Sequence, residues 1–589
     1  MQRFESSAFQ AHISCPRTDA QLVRHGAVLT VNLSYQGAYG MGEKYDALNQ
    51  KGRVVVNQVE EKFCFQGEKT YCPAPFFWTD SGFGLYVDTC ETTTFHFDEN
   101  SVTIDLPESA PVVAFSGEPA QIVSAYMELF GKAVLPPEWA FGVWISANRW
   151  NCQKDAEQQI ENLKKHDFPA SILVLEAWSD EATFYIWNGA KYQPNPDGAA
   201  LQYDDFDFSG SPWPDPKDMV DALHKAGLHL VLWQIPVYKK QGPDEILNVQ
   251  NTLDREDAVR RGLCVHLADG TPYTIPDGHW FSGSMIPDYT NPETVRTWFD
   301  KRQYLLDMGA DGFKTDGGEF IYRPDVRFCD GSDGKSGKNR YARDYTCAYR
   351  DFIGSQRVLF SRAGFSGQHT VPMHWGGDQQ SQNAELRSQL HAGLSAAASG
   401  ILFWGFDIAG FAGPLPTLDL YRRATQMACF CPIMQWHSEP DGGQFRELMP
   451  GAEGNNERSP WNMAQIYNTP EFLDEMRYWH KLHEQLRPYL WETAKRCVKE
   501  SKPILRPLVY EWPKDSNVLY CQDEYLLGND LLVAPLLEEN AHSREVYLPQ
   551  GTWTDFFSGK IYTGSQTIII DAGDKLPVFT RNGFQWKHD

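Results

Sequence analysis

The stretch GADGFKTDGGEFIY, residues 309–322, sets a lysine and two carboxylates in a glycine-rich frame just after an apolar approach. Read as the end of a buried strand, it places Lys314, Asp316 and Glu319 where the chain leaves the core. Seven other runs have the same character: AFGVWIS (140–146), ASILVLEAW (170–178), LHLVLWQIP (228–236), RVLFSRAGF (357–365), MHWGGD (373–378), GILFWGFDIAGF (400–411) and CFCPIMQWHS (429–438). They are apolar without strict alternation, as expected of parallel strands buried on both faces. Amphipathic segments such as DAEQQIENLKKHD, DPKDMVDALHKAG and NPETVRTWFDKRQYLLDMG lie between them. Eight strands alternating with helices predict an α/β chain built on a (β/α)8 TIM barrel. Residues 366–372 are too few for a helix, so an irregular unit is expected between the fifth and sixth strands.

Working outward, the flanks read differently. HGAVLTVNLSY, GRVVVNQV, GFGLYVDT and NSVTIDLP are short alternating runs bounded by turn residues, and they predict an N-terminal β-sandwich domain over 1–117. Ile122, Tyr126, Met127 and Phe130 recur at helical spacing, so 118–138 is a helical linker ending in the stiff LPPEW. The barrel is assigned to 139–494. From 495 short strands return in DEYLLGNDLLVAP, REVYLPQGTWTDFFSG and TIIIDAG, predicting a C-terminal β-sandwich domain over 495–589.

The totals agree with a multidomain globular chain. Its 589 residues exceed what one core holds. The net charge of −24 argues against a nucleic-acid or anionic-membrane partner, and no apolar run is long enough for a membrane span. The N-terminus has no signal-peptide pattern, and twelve scattered cysteines without a CxxC read as free thiols. Both point to the cytoplasm. Homo-oligomerisation is left open.

In such a barrel, polar residues at the C-terminal strand ends read as functional. That rule selects Glu176, Trp178, Trp233, Lys314, Asp316, Arg362, Trp375, Asp378, Asp407 and His437. A lone aspartate in a glycine turn is ordinarily a turn former; ten such residues on one rim are another matter. Asp316 and Asp378, about two strands apart, can face one pocket. Two carboxylates among tryptophans fit glycoside hydrolysis, one attacking the anomeric carbon and the other serving as acid and base. No metal or other cofactor is expected: His374 and His437 are too isolated to make a metal site. A metal-dependent hydrolase is nonetheless the reading that chelators would test.

At these residues the sequence resembles glycoside hydrolase family 31, the retaining α-glycosidases. The resemblance spans nearly the whole chain, through GAYGMGEKYDALNQKG (37–52), PAPFFWTDSGFGLYVDT (73–89), LPPEWAFGVWIS, FKTDGGE, FSRAGFSG, HWGGD, FWGFDIAGF, QWHSE and VYLPQGTWTDFFSG. It implies that Asp316 is the nucleophile and Asp378 the general acid/base. It also implies that Arg362, Asp407 and His437 bind the innermost sugar. Glu176 stands where the family usually has Asp, Gly317 where it often has Phe or Met, and Phe406 where it often has His or Ser. Gly317 is expected to leave space beside the nucleophile. YIWNGAKYQP supplies Trp187 and Lys191 but no arginine, which disfavours a sulfoquinovose substrate. The implied activity is exo-acting α-glycoside hydrolysis on small oligosaccharides or glycosides, most simply by an α-glucosidase. Glu176, Arg362, Asp407 and His437 would hold hydroxyls, Trp233 and Trp375 would line the pocket, and Trp178 would flank its entrance. Xylose, galactose or an N-acetylated hexosamine are alternative sugars; transfer to a sugar acceptor and a carbohydrate-binding homologue without catalysis are alternative outcomes.

Overall fold

A computed structural model describes residues 1–439 and 455–584 of the chain. The N-terminal domain packs two antiparallel sheets face to face. One has five strands, in the order Gln2–Phe4, Val112–Ser116, Phe83–Val87, Pro73–Thr79, Ala38–Gly42; the other has six. In the six-stranded sheet Asp19–His25 alternates exposed and buried residues, sending Ala20 and Leu22 into the core that Phe77, Leu85 and Ile104 share. This is the period-2 pattern of a sheet with one wet face. The linker forms the helix Pro119–Met127, which starts on a proline and buries Ile122, Val123, Tyr126 and Met127.

The barrel strands are β1 (Val143–Ala147), β2 (Ile172–Leu175), β3 (His229–Gln234), β4 (Gly312–Thr315), β5 (Val358–Ser361), β6 (Met373–Trp375), β7 (Trp404–Gly405) and β8 (Met434–Ser438). Every residue of β2, β4 and β5 is buried, as both-face coverage requires. All are parallel and pair in sequence order, and β8 pairs with β1. The last seam, between β7 and β8, is a single parallel bridge from Asp407 to Gln435. β5 and β6 are joined by one 3₁₀ turn, Gln368–Thr370, the irregular unit expected from the short spacing. The longest excursion lies between β3 and β4; it holds three helices and a loop around Gly278–Gly283.

The helix Pro470–Glu500 crosses the boundary drawn at 495 and ends on Ser501, whose φ is +50°. The first C-terminal strand therefore begins at Leu505. A six-stranded sheet and a two-stranded ribbon make up the C-terminal region. Among the described residues no helix is long and apolar enough to cross a membrane.

The N-terminal domain is fastened to the barrel. Trp78 Nε1 donates to Ala398 O at 2.9 Å and the Gly42 amide to Ser399 Oγ at 2.8 Å. Its loop between Asn57 and Pro73 lies over the barrel mouth. The Val59 amide donates to Asn339 Oδ1, the Phe65 amide to Glu385 Oε2, and Gln66 Nε2 to the carbonyl of Asp378.

Candidate active site

A cavity of about 450 Å³ opens at the C-terminal ends of the strands, a size typical of small-ligand sites. Nine of the ten rim residues read from the sequence line it: Glu176, Trp233, Lys314, Asp316, Arg362, Trp375, Asp378, Asp407 and His437. Each lies on, or within three residues of, the end of a strand.

Arg362 organises the centre. Its Nη1 lies 3.2 Å from Asp316 Oδ1 and 3.1 Å from Asp378 Oδ2. Two oxygens held by one nitrogen are no more than about 6 Å apart. Nε and Nη2 of the same guanidinium clamp Glu319 at 3.1 and 3.2 Å, a buried bidentate pair that aims the third nitrogen into the cavity. Three carboxylates thus share one cation. Burial pushes the Asp378 carboxyl well above the ordinary range; Arg362 opposes this, and Asp316, Glu61 and Glu319 add to it. Asp316 is further fixed by Trp233 Nε1, which donates to Oδ2 at 3.0 Å, and by the Gly317 amide, which donates to Oδ1 at 2.8 Å.

A second cluster forms the opposite wall. Lys314 donates to Glu176 Oε1 and lies 4.7 Å above the Trp375 ring. Burial alone would discharge this ammonium, yet Glu176, Asp407 and Asp316 raise its pKa. Gln435 Nε2 donates to Asp407 Oδ1 at 2.5 Å.

Two expectations need correction, and one departure in sequence lies away from the site. Trp178 does not flank the entrance: it is fully buried, donates to Trp233 O at 3.1 Å and packs edge-on against Trp187. Gly317 leaves no space. Its φ is +69°, and a Cβ there would meet Ile235 Cδ1 at 2.5 Å and Phe320 at 2.8 Å. Phe406 is buried against Trp404 and does not line the cavity. Of the three departures in sequence, only Glu176 faces the site.

Several lining residues were not read from the sequence. Glu61 and Phe63 come from the N-terminal domain's loop, and Phe63 packs edge-on against Phe411. His279, Trp280 and Phe281 come from the excursion between β3 and β4, and the Arg362 guanidinium lies 5.5 Å from the Trp280 ring. Glu181 follows β2; burial, opposed by Lys239, raises its pKa to about 7. The same domain contact explains HWGGD: a Cβ on Gly377 would strike the Tyr71 ring at 2.2 Å, and its φ is +69°.

The comparisons with known proteins agree with this geometry. Residues 133–493 match the glycosyl hydrolases family 31 TIM-barrel domain, 501–584 its C-terminal domain, and 27–96 its N-terminal galactose mutarotase-like domain. The chain belongs to glycoside hydrolase family 31. Within this family it is 36% identical to the isomaltosyltransferase of Sporosarcina globispora, over 92% of this chain and 50% of that protein. It is 37% identical to the 1,3-alpha-isomaltosidase of Kribbella flavida, over 92% of this chain and 75% of that protein. The solved cycloalternan-degrading enzyme from Trueperella pyogenes, in complex with a covalent intermediate, matches with a TM-score of 0.88 and 34% identity, over 96% of this chain and 79% of that one. The chain thus spans about half the length of the isomaltosyltransferase it matches.

Proposed function

We propose that this chain is a retaining α-glycosidase acting on short α-linked gluco-oligosaccharides, with an isomaltosyl unit as the preferred donor. Asp316 attacks the anomeric carbon while Asp378 gives its proton to the departing glycosidic oxygen. In the second step Asp378 takes a proton from water, or from an acceptor sugar's hydroxyl, as that oxygen displaces Asp316.

The observation that carries this reading is the shared Arg362 nitrogen. Retaining pairs stand roughly 5–5.5 Å apart and inverting pairs roughly 6.5–9.5 Å. A bridge that limits the two oxygens to about 6 Å favours the retaining arrangement. The electrostatics fit as well. Arg362 and the Trp233 N–H hold Asp316 in place, while burial and the neighbouring Asp316 raise the Asp378 pKa and favour its protonated form. The isomaltosyl preference rests on the two relatives above, both more than 35% identical. It replaces the plain α-glucosidase favoured by sequence alone. Cysteine usage favours a cytoplasmic setting.

The test pairs aryl α-isomaltoside with aryl α-glucoside, α-xyloside, α-galactoside and α-N-acetylhexosaminide, and follows the first-formed anomer by proton NMR. Isomaltose released first as its α-anomer is the expected result. Glucose as the sole early product would return the reading to an α-glucosidase. A β-anomer formed first would overturn retention, and sugar binding without turnover on any substrate would overturn catalysis.

A further inference from the structure

The wall opposite the catalytic pair holds a carboxylate that the mechanism above does not use. Glu439, just past β8, is fully buried. Its Oε1 lies 3.2 Å from His437 Nε2 and accepts from Asn148 Nδ2 at 2.8 Å. On the other edge of the same imidazole, Nδ1 lies 2.7 Å from Ser146 Oγ and 3.5 Å from Glu176 Oε1. Lys314 addresses that same Oε1. Charges therefore alternate along one buried line: Lys314, Glu176, His437, Glu439. Both cations face one oxygen of Glu176, and among the described residues Oε2 has no protein partner, which leaves it able to accept a sugar hydroxyl.

We propose that Glu439 is a positioning residue for substrate binding: through Nε2 it holds His437 in one orientation with both ring nitrogens donating, Nδ1 to Ser146 Oγ, so that the charged edge of the ring faces the Glu176 carboxylate 3.5 Å away and holds it in the cavity. The proposal rests on the reading of this cavity as a sugar site. A neutral imidazole would keep its single proton on Nε2, against Glu439. Its Nδ1 lone pair would then accept from the Ser146 hydroxyl, and the attraction that holds the Glu176 carboxylate, the group that receives the sugar, would be lost. The charged groups around the ring are Glu176 from β2, Lys314 from β4, Asp407 beyond β7 and Glu439 beyond β8. Burial and Lys314 discharge the imidazole; the carboxylates outweigh them and raise its pKa. The longer reach of Glu176, compared with the aspartate usual in the family, brings its carboxylate onto this line. Glu439 and Glu176 therefore act as a set.

Glu439→Gln keeps the size and an acceptor for Nε2 but removes the charge. In the wild type, KM for the best substrate should be flat between about pH 6 and pH 8. In the variant it should rise on the order of tenfold over that interval, with kcat changed by less than about threefold. Glu439→Asp, which keeps the charge, should restore a flat profile. NMR of labelled histidine, with the His437 signal identified by its loss in His437→Asn, should show a charged ring at pH 7 in the wild type and a neutral ring at about pH 8 in Glu439→Gln. A neutral His437 in the wild type at pH 7, or identical KM profiles in wild type and Glu439→Gln, would overturn the proposal. If Glu439→Gln does not fold, the wild-type NMR measurement decides alone. If the wild type cleaves no α-glycoside, the sugar-site reading fails, while the NMR still reports on the Glu439–His437 contact.

Discussion

Strand β4 carries an aspartate at each end, and the two have opposite surroundings. Asp311, at the start, sits on the bottom of the barrel with three donors: the Leu230 amide at 2.8 Å, His224 Nε2 at 2.7 Å and His229 Nδ1 at 3.0 Å. Burial would raise its pKa, but these donors overcome that and lower it to about 2. Asp316, at the top, shares a single guanidinium with Asp378 and Glu319. One end of the strand is saturated and structural. The other shares its one cation beside an open cavity, and the crowded carboxylates help to raise the Asp378 pKa. Proximity to a strand end does not separate these aspartates, nor does the count of donors, which is three for each; what differs is that Asp316 shares its one cation with two other carboxylates.

The contrast breaks most visibly by mutation of its two ends. Asp316→Ala should lower kcat on the order of 10⁴-fold or more, since in the proposed mechanism Asp316 forms the covalent intermediate. Its thermal midpoint should barely move. Asp311→Ala should do the reverse, leaving kcat within about threefold while costing about 2 kcal/mol of stability. Steady-state kinetics and denaturant melts of the pair decide it. A stable, inactive Asp311→Ala would show that the bottom cluster takes part in function.

Asp378→Ala comes next. Loss of the general acid should lower kcat about 10²–10⁴-fold on sugar leaving groups. The loss should be much smaller for an aryl group that departs without a proton. An equal loss on both would assign Asp378 to binding instead.

The two ends also predict opposite pH signatures. Asp311 is more acidic folded than unfolded, so its contribution is present above about pH 4 and fades as pH falls toward 2. His224 is more basic folded, chiefly through its bond to Asp311 despite opposing burial. Its contribution is complete below about pH 6.5 and fades as pH rises past the folded value. The bottom cluster thus stabilises most between those limits. Asp378 has a raised value, so keeping it ionised at high pH costs stability. Melting curves of Asp311→Asn and Asp378→Asn against pH should separate the two. The first should lose the acid-side slope, and the second should gain stability relative to wild type on the alkaline side.

Much of this was legible because the physics is local. Parallel strands covered on both faces must be apolar throughout, so eight runs in the sequence became eight strands. Residues at their ends point into one mouth, so nine of the ten rim residues line the cavity. The unread contributors depend on distant docking. Glu61 and Phe63 reach the site only because another domain's loop lies across the barrel. Trp280 and Phe281 come from a long excursion whose path no periodicity encodes. The space assigned to Gly317 was misjudged because Ile235 and Phe320, its neighbours in space, already occupy it.

Trp178 is the smallest of these cases and the one that sharpens the rule. It lies two residues beyond Glu176, and strict alternation would put both side chains on the cavity face. β2 ends at Leu175, however, so no pleat carries that alternation forward. The indole turns into the core against Trp187, and its N–H is satisfied by Trp233 O. Trp178→Phe keeps the ring packing and removes one buried donor from the Trp233 carbonyl, which still accepts from Gln234 Nε2 at 2.9 Å. It should cost about 1 kcal/mol of stability and leave KM within about twofold. Trp233→Phe removes the donor to Asp316 Oδ2 and should lower kcat about tenfold with little change in stability. If Trp178→Phe raised KM as strongly as a cavity substitution does, the indole would have to reach the sugar, and the strand-end rule would apply two residues further than the backbone allows.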